Sequence, residues 1–246
     1  MGLFTKLFAR YAPASEDAPQ TCAAILVAAG SATRMGGIDK ILCPVGNEPI
    51  VLHALRPLQD SPLIDEIVLV TREDLMVALG TLCSRRGIDK VRRVVRGGDT
   101  RTESVLAGLA AVSPGMGLVA IHDGARPFMP QEVIDRTIEA ARTHHAAAPA
   151  LPVKDTIKQA RDGVVVRTPD RAELFAVQTP QVFDIDLIRV ALQKAQEGQV
   201  PLTDDCSAVE RLGYPVHLVE GSEEGMKVTT PSDLAVAEAI LANREG

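Results

Sequence analysis

The sequence predicts an α/β fold: one helix–sheet–helix layered domain with a mostly parallel sheet, running from about residue 21 to 246. Three observations predict it. From Thr21 onward, short apolar runs alternate with stretches of helical periodicity, the pattern of parallel strands joined by right-handed crossovers. The first of these runs, Cys22–Ala28, is apolar without a break, as a strand buried on both faces requires. Small or charged residues then cluster where the strands end, and ligands in such folds sit at the carboxyl ends of the strands.

The elements follow in order. Residues 1–20 read as a separate extension. Leu3, Phe4, Leu7, Phe8 and Tyr11 recur on one face of a short helix, and a polar linker from Pro13 to Pro19 follows. Lys6 and Arg10 interrupt that face, so it lacks the apolar core of a signal peptide. A frayed extension or a helix docked on the domain is preferred to a membrane-surface anchor. After the first strand, further strands are expected at Glu66–Thr71, Val91–Arg96, Leu118–His122 and Ala147–Val153, with helices at about 49–59, 73–86, 101–112 and 131–145. Thr100-Arg101-Thr102-Glu103 is a capping-box signature for the third helix. Thr230-Pro231-Ser232-Asp233 opens another, with proline in its first turn. Residues 154–172 break the alternation. Asp162-Gly163 between short β-rich stretches signals a hairpin that projects from the main sheet. An isolated hairpin is marginal in water, so a second subunit is the natural surface for it to pack on.

Composition excludes several classes. Lys and Arg number 26 against 32 Asp and Glu, a net charge of −6, where a generic nucleic-acid binder would be basic. Five Phe, two Tyr and no Trp are too few for a platform on which bases stack. The longest apolar run, Cys22 to Ala29, falls far short of the ~20 residues that span a membrane. The cysteines at 22, 43, 83 and 206 include no C-x-x-C pair, so they read as buried reduced thiols of a cytosolic protein and not as a zinc or redox site.

The candidate site gathers at strand ends. The first strand runs into Ala28-Ala29-Gly30-Ser31-Ala32-Thr33-Arg34-Met35-Gly36-Gly37-Ile38-Asp39-Lys40. Small residues let backbone N–H groups approach a phosphate, and Arg34 and Lys40 add positive charge. A dinucleotide fingerprint G-x-G-x-x-G fails at Ala32 and Met35, and no P-loop is present. Arg96-Gly97-Gly98-Asp99 ends the third strand, with Ser104 in the next helix, and His122-Asp123-Gly124-Ala125-Arg126-Pro127 ends the fourth. An aspartate in the position of Asp123 suits Mg²⁺ beside phosphates; His122 stays unassigned. Asp204, Asp205 and Glu210 read as ordinary helix-start and helix-face charge.

Taken together, these clusters resemble one family, the 2-C-methyl-D-erythritol 4-phosphate cytidylyltransferases of the non-mevalonate isoprenoid pathway. The resemblance covers about 22–242 and rests on the order and spacing of the segments above together with Asp155-Thr156-Ile157-Lys158, Asp170-Arg171, Gln178-Thr179-Pro180-Gln181, Thr203-Asp204-Asp205 and Lys227-Val228-Thr229. It implies a three-layer Rossmann-like nucleotidyltransferase domain whose hairpin, about 154–172, is a dimerisation arm swapped across a homodimer. It implies Mg²⁺ and transfer of a cytidylyl group from CTP to methylerythritol phosphate with release of pyrophosphate; the missing signal peptide and the soluble substrates together predict a cytoplasmic location. By the resemblance, Arg34 and Lys40 act at the α-phosphate, and Asp123 binds the metal. Ala28, Ala29, Gly30, Gly98, Asp99 and Ser104 surround cytosine and ribose. Lys227 and Arg171 position the sugar phosphate, Arg171 reaching from the other subunit, and Arg126, Thr156 and Thr179 line its side of the site.

Two positions depart from the family pattern. Asp39 stands where many relatives carry proline, and the carboxylate it puts beside Lys40 predicts a more mobile loop in the empty protein; Ala32 stands where many carry glycine. The rival readings are a ribitol 5-phosphate cytidylyltransferase, a non-catalytic nucleotide-binding scaffold recruiting a partner through its N-terminal helix, and, most distant, a nicotinamide-dependent oxidoreductase. Asp155-Thr156-Ile157-Lys158 and Asp170-Arg171-Ala172-Glu173-Leu174 favour the methylerythritol enzyme over the first.

Overall fold

A computed structural model of the protein describes residues 21–30 and 39–245. The N-terminal extension and Arg34 lie outside the described residues. The unbroken apolar run becomes β1 (Cys22–Ala28), which pairs in parallel with β4 (Glu66–Thr71) on one side and β6 (Leu118–Asp123) on the other. With both edges and both faces covered, every position in it suits an apolar side chain. Beyond β4 lies β5 (Val91–Arg96), also parallel. On the other side β6 meets β11 (Gln181–Asp184), antiparallel, and β11 meets β7 (Ala146–Pro152). β10 (Phe175–Val177) pairs with the far end of β7 on the β11 side, and β12 (His217–Glu220) runs parallel to β7 on its opposite edge. Among the described residues these eight strands form the main sheet.

Helices cover both faces. Cys22, Ala24, Leu26 and Ala28 point into a core shared with α1 (Ile50–Asp60), α2 (Met76–Arg85) and α4 (Gln131–His144). Ile25 points the other way, into a core with α3 (Arg101–Ala111), α5 (Ile185–Glu197) and α6 (Asp205–Glu210). The period of 2 is thus preserved inside a run that looked uniformly apolar. A smaller core of Cys43, Val45, Ile50, Phe128, Val228 and Ala237 seats α7 (Pro231–Glu245) against the short hairpin of β2 (Pro44–Val45) and β3 (Glu48–Pro49). All four cysteines are buried and free. Burial holds the Cys22 thiol up at about 12.

The expected strands and helices occur within a residue or two of their limits, except that 73–86 splits into a 3₁₀ turn, Glu73–Leu75, followed by α2. The capping box at Thr100 and Glu103 forms in both directions. The hairpin leaves the end of β7 and returns at β10, its base tied where the Val153 N–H donates to the Leu174 carbonyl at 3.0 Å. Its strands are β8 (Gln159–Arg161) and β9 (Val164–Arg167), with Arg161 opposite Val164. The two-residue loop, Asp162-Gly163, has φ of 50° and 77°. Positive φ at both loop residues is the primed-turn geometry that follows strand twist, and glycine adopts it at no steric cost.

Candidate functional site

The carboxyl ends of β1, β5 and β6 open into a single cleft of about 650 Å³. Ala28, Ala29 and Gly30 form one wall and Gly97-Gly98-Asp99, with Ser104, form the facing wall. The walls touch at their base: a Cβ added to Gly97 would stand 2.5 Å from the Ala29 Cβ and 2.8 Å from the Ser104 Oγ. A Cβ on Gly98 would meet the Glu103 Cβ at 2.3 Å. Glu103 cannot retreat without breaking the capping box, since its carboxylate accepts the Thr100 N–H at 3.0 Å. Glycine is therefore required at both positions by close approach, and the slot presents mostly backbone.

At the floor lies Asp123, the last residue of β6. Its Oδ2 accepts from Lys227 Nζ at 2.7 Å, its Oδ1 lies 3.5 Å from Arg101 Nη2, and Arg126 Nε is 3.9 Å away. Burial alone would raise this carboxyl, but the Arg101 and Lys227 cations hold it down at about 2. Lys227 is brought there by its own loop, where the Val228 N–H donates to the Ala125 carbonyl at 2.8 Å. The start of α7 fixes that loop further: the Asp233 carboxylate accepts from the N–H groups of Thr229 and Thr230 and from the Thr229 hydroxyl at 2.7–2.9 Å.

Behind Asp123 runs a buried hydrogen-bond relay. The Asp123 N–H donates to Thr179 Oγ1 at 3.1 Å, Thr179 Oγ1 lies 3.1 Å from His122 Nδ1, and His122 Nε2 lies 3.3 Å from the Arg126 carbonyl. A carbonyl only accepts, so Nε2 carries the ring proton and Nδ1 accepts from the threonine hydroxyl. His122 is fully buried, and that burial pushes its imidazolium down to about 4, so the ring is neutral. This histidine braces the backbone of Asp123 and Arg126.

The cleft thus contains Ala28, Ala29, Gly30, Lys40, Gly98, Asp99, Ser104, Asp123 and Lys227, while Arg126 and Thr179 sit directly behind Asp123. Thr156 and Arg171 do not join them: both are exposed on the arm, where Arg171 Nη1 donates to the Lys154 carbonyl at 2.8 Å.

One sequence expectation needs correction. Asp204 does cap α6, but Asp205 is not ordinary helix-start charge. It is 1% exposed and pairs with Arg101 at 2.7 Å. Asp39 caps the following turn and pairs with Arg72; the loop before it, residues 31–38, lies outside the described residues. Arg101 and Arg72 were not singled out as site residues from sequence. One signal existed for Arg101. A cation in the first turn of a helix opposes the helix dipole, and buried carboxylates at that spot resolve the conflict.

Among the described residues no three His, Cys, Asp or Glu side chains converge as a metal cage. Asp123 offers one carboxylate at the edge of a cationic cleft. Mg²⁺ commonly takes one or two protein carboxylates and completes its shell with water and substrate phosphates. The donor set fits an ion that arrives with a polyphosphate.

A family model described as "IspD: 2-C-methyl-D-erythritol 4-phosphate cytidylyltransferase" matches residues 22–243. The chain is 46% identical over 222 residues to the 2-C-methyl-D-erythritol 4-phosphate cytidylyltransferase of Halalkalibacterium halodurans, covering 90% of this chain and 97% of that one. It is 43% identical over 228 residues to the protein of that name from Pelotomaculum thermopropionicum, covering 91% and 95%. The fold is similar to the crystal structure of 4-diphosphocytidyl-2C-methyl-D-erythritol synthase from Anaerococcus prevotii, with TM-score 0.82, 32% identity, and coverage of 91% and 97%. It is also similar to the Thermus thermophilus 2-C-methyl-D-erythritol 4-phosphate cytidylyltransferase, with TM-score 0.73, 32% identity, and coverage of 89% and 98%.

Proposed function

We infer the chemistry from one premise: the chain belongs to the 2-C-methyl-D-erythritol 4-phosphate cytidylyltransferase family. It transfers the cytidylyl group of CTP to 2-C-methyl-D-erythritol 4-phosphate, giving 4-diphosphocytidyl-2-C-methyl-D-erythritol and pyrophosphate, a step of the non-mevalonate isoprenoid pathway. The observation that carries this reading in the molecule is the cluster of Arg101, Arg126 and Lys227 around Asp123, with Lys40 lining the same cleft and a slot of backbone beside them, in a protein of net charge −6.

A phosphate oxygen of the sugar attacks the α-phosphorus of CTP, and the bond from that phosphorus to the pyrophosphate oxygen breaks. The nucleophile is already ionised at neutral pH, so no general base is needed. The obstacle is bringing two anions together, and positioned positive charge removes it. In this reading the slot between Ala28–Gly30 and Gly98–Asp99 takes cytosine and ribose, with Ser104 at its base. Lys40 faces the α-phosphate; Arg34, outside the described residues, shares that role. Mg²⁺ held by Asp123 would supply further positive charge to the triphosphate oxygens. Lys227 exchanges Asp123 for the sugar phosphate, with Arg126 and Thr179 on that side.

The reading also assigns a homodimer. Val164, Val165 and Val166 on β9 are 69%, 53% and 60% exposed, and Ile157, Phe175 and Val177, near them in the chain, are exposed as well. Exposed apolar side chains concentrated on one projecting segment support an interaction site there. A second copy covering the arm would receive Arg171 and Thr156 at its own cleft. No helix among the described residues is long and apolar enough to cross a membrane; the cytoplasm is the proposed location because both substrates are small and water-soluble.

Pyrophosphate release tests the reading. Purified protein with CTP, Mg²⁺ and methylerythritol phosphate should release pyrophosphate, and omitting the metal or substituting ribitol 5-phosphate should abolish the signal. Turnover with ribitol phosphate alone would reassign the substrate; CTP binding without turnover would leave a scaffold.

A further inference from the structure

Lys40 sits on a turn too short to hold its own shape. The turn is a single 3₁₀ helix, Lys40–Leu42, and such short helices take their geometry from what flanks them. Within the turn Ile41 is buried, and just after it Cys43. Before it, Asp39 does three things. Its carbonyl accepts from the N–H groups of Leu42 and Cys43 at 2.9 and 3.1 Å. Its Oδ1 accepts from the Ile41 N–H at 3.3 Å. Its Oδ2, itself out of contact with solvent, meets Arg72 Nη1 at 2.6 Å.

Arg72 is the first residue after β4, and its other nitrogens, Nε and Nη2, each donate to Asp74 at 3.1 Å. β4 pairs with β1 along Ala23–Ala28, the strand that carries the nucleotide wall. One guanidinium therefore joins the Lys40 turn to the same sheet that positions Ala28 and Ala29. Arg72 also lines the cleft, yet two carboxylates occupy it. The arrangement has a second effect. Asp39 adjoins Lys40 in the chain, and a carboxylate deprived of its guanidinium turns to the nearest remaining cation. Arg72 keeps Asp39 occupied.

We propose that Asp39 and Arg72 form a latch that positions Lys40 for cytidylyl transfer and holds the Asp39 carboxylate away from its ammonium. Both are positioning residues. The inference rests on the reading of Lys40 as the cation facing the α-phosphate.

Steady-state kinetics on the full chain test it with Lys40→Ala, Arg72→Ala, Asp39→Asn and the Asp39→Asn/Arg72→Ala double variant, each checked for wild-type circular dichroism and melting. Displacing a catalytic group by about 1 Å costs up to ~10²-fold, so Arg72→Ala should lower kcat ~10- to 100-fold. KM for either substrate should stay within about twofold of wild type, since ground-state binding is not what the latch controls. Asp39→Asn retains the oxygen that caps Ile41 and loses only the charge, so its kcat should fall less. The double variant should be faster than Arg72→Ala, because the misdirected carboxylate is gone. Arg72→Lys, which keeps the charge and loses the fork, should lie between wild type and Arg72→Ala, and it serves if Arg72→Ala melts early. A double variant no faster than Arg72→Ala overturns the latch. So does a normal kcat in Arg72→Ala, or a loss confined to the KM for CTP, which would put Arg72 on the triphosphate. A normal kcat in Lys40→Ala overturns the reading of Lys40 and this inference with it; a slow Lys40→Ala beside an indifferent Arg72→Ala overturns the latch alone.

Discussion

At the carboxyl ends of β1, β5 and β6, charged groups from four separate segments pair around two buried carboxylates: Arg101 with Asp123 and Asp205, Lys227 with Asp123. On the arm between β7 and β10, Thr156 and Arg171 stand exposed beside three consecutive bare valines. Every residue proposed to meet the nucleotide comes from one chain. The arm, in the proposed reading, acts on the cleft of a second. The difference separates two kinds of evidence. Burial with satisfied charge identifies a site that the chain builds for itself. Exposed apolar surface beside a cation identifies a contribution to a site built elsewhere.

Four experiments break or sharpen that contrast. The largest effect expected is on the stability of the cleft's foundation. The unfolded chain takes up a proton on His122 near pH 6.5, and the folded chain refuses it until about pH 4. Stability from this group is fully present above pH 6.5 and is lost as pH falls through that window, by roughly 3 kcal/mol for a fully buried ring. Thermal melts between pH 7 and pH 4 should show the loss, and His122→Gln should flatten it; an unchanged slope in the variant would remove His122 as the cause. Next, Lys40→Ala should lower kcat by ~10² or more, about 2.7 kcal/mol, the scale of one preorganised electrostatic donor, with melting unaffected. Arg171→Ala should raise the KM for methylerythritol phosphate ~10-fold, about 1.4 kcal/mol, and leave the KM for CTP alone. Mixed dimers of Lys40→Ala and Arg171→Ala subunits should regain activity, since one of their two clefts would have both residues; verified heterodimers with no recovery would return the arm to its own chain. The smallest effect on the fold should come from Val165→Asp, within about 0.5 kcal/mol of wild type by denaturant unfolding of the monomer, as for other exposed substitutions. The same variant should shift the sedimentation profile from dimer to monomer, and a dimer that survives it would mean another surface joins the subunits.

What the sequence disclosed follows from the range of the forces involved. The run at Cys22–Ala28 and the capping box at Thr100 and Glu103 are local patterns and formed as read. The amphipathic helix α5 was missed although Ile185, Leu187, Ile188, Ala191, Leu192 and Ala195 form its buried face, because no distinctive residue cluster drew attention to it. β10 and β12 have only three and four residues, and their strand character comes from β7. At the site, Lys40 and Asp123 were legible from residue type after strand ends, and Lys227 through the family resemblance; all three line one cleft. Asp205 was misread because its counterion lies on another helix, and the one local signal, a cation in the first turn of α3, does not say which carboxylate it meets. The partner of Asp39 was hidden for the same reason: in sequence its only charged neighbour is Lys40, and only the end of β4 shows what it binds.

The ion pair at the floor of the cleft also bears on how the chain is made. Lys227 closes on Asp123 across 104 residues, and β7 is not flanked on both edges until β12 has formed. Contacts this distant in sequence carry the largest loop-closure cost and form late. A chain emerging from the ribosome can fold β1, β4, β5 and β6 and assemble the nucleotide slot well before Lys227 exists. Through that interval Asp123 has Arg101 and Arg126 for counterions and nothing with which to grip a second substrate. Cytidylyl transfer is thus among the last properties the polypeptide acquires, since a chain cut short before residue 227 would lack Lys227 and Thr229, which line the cleft.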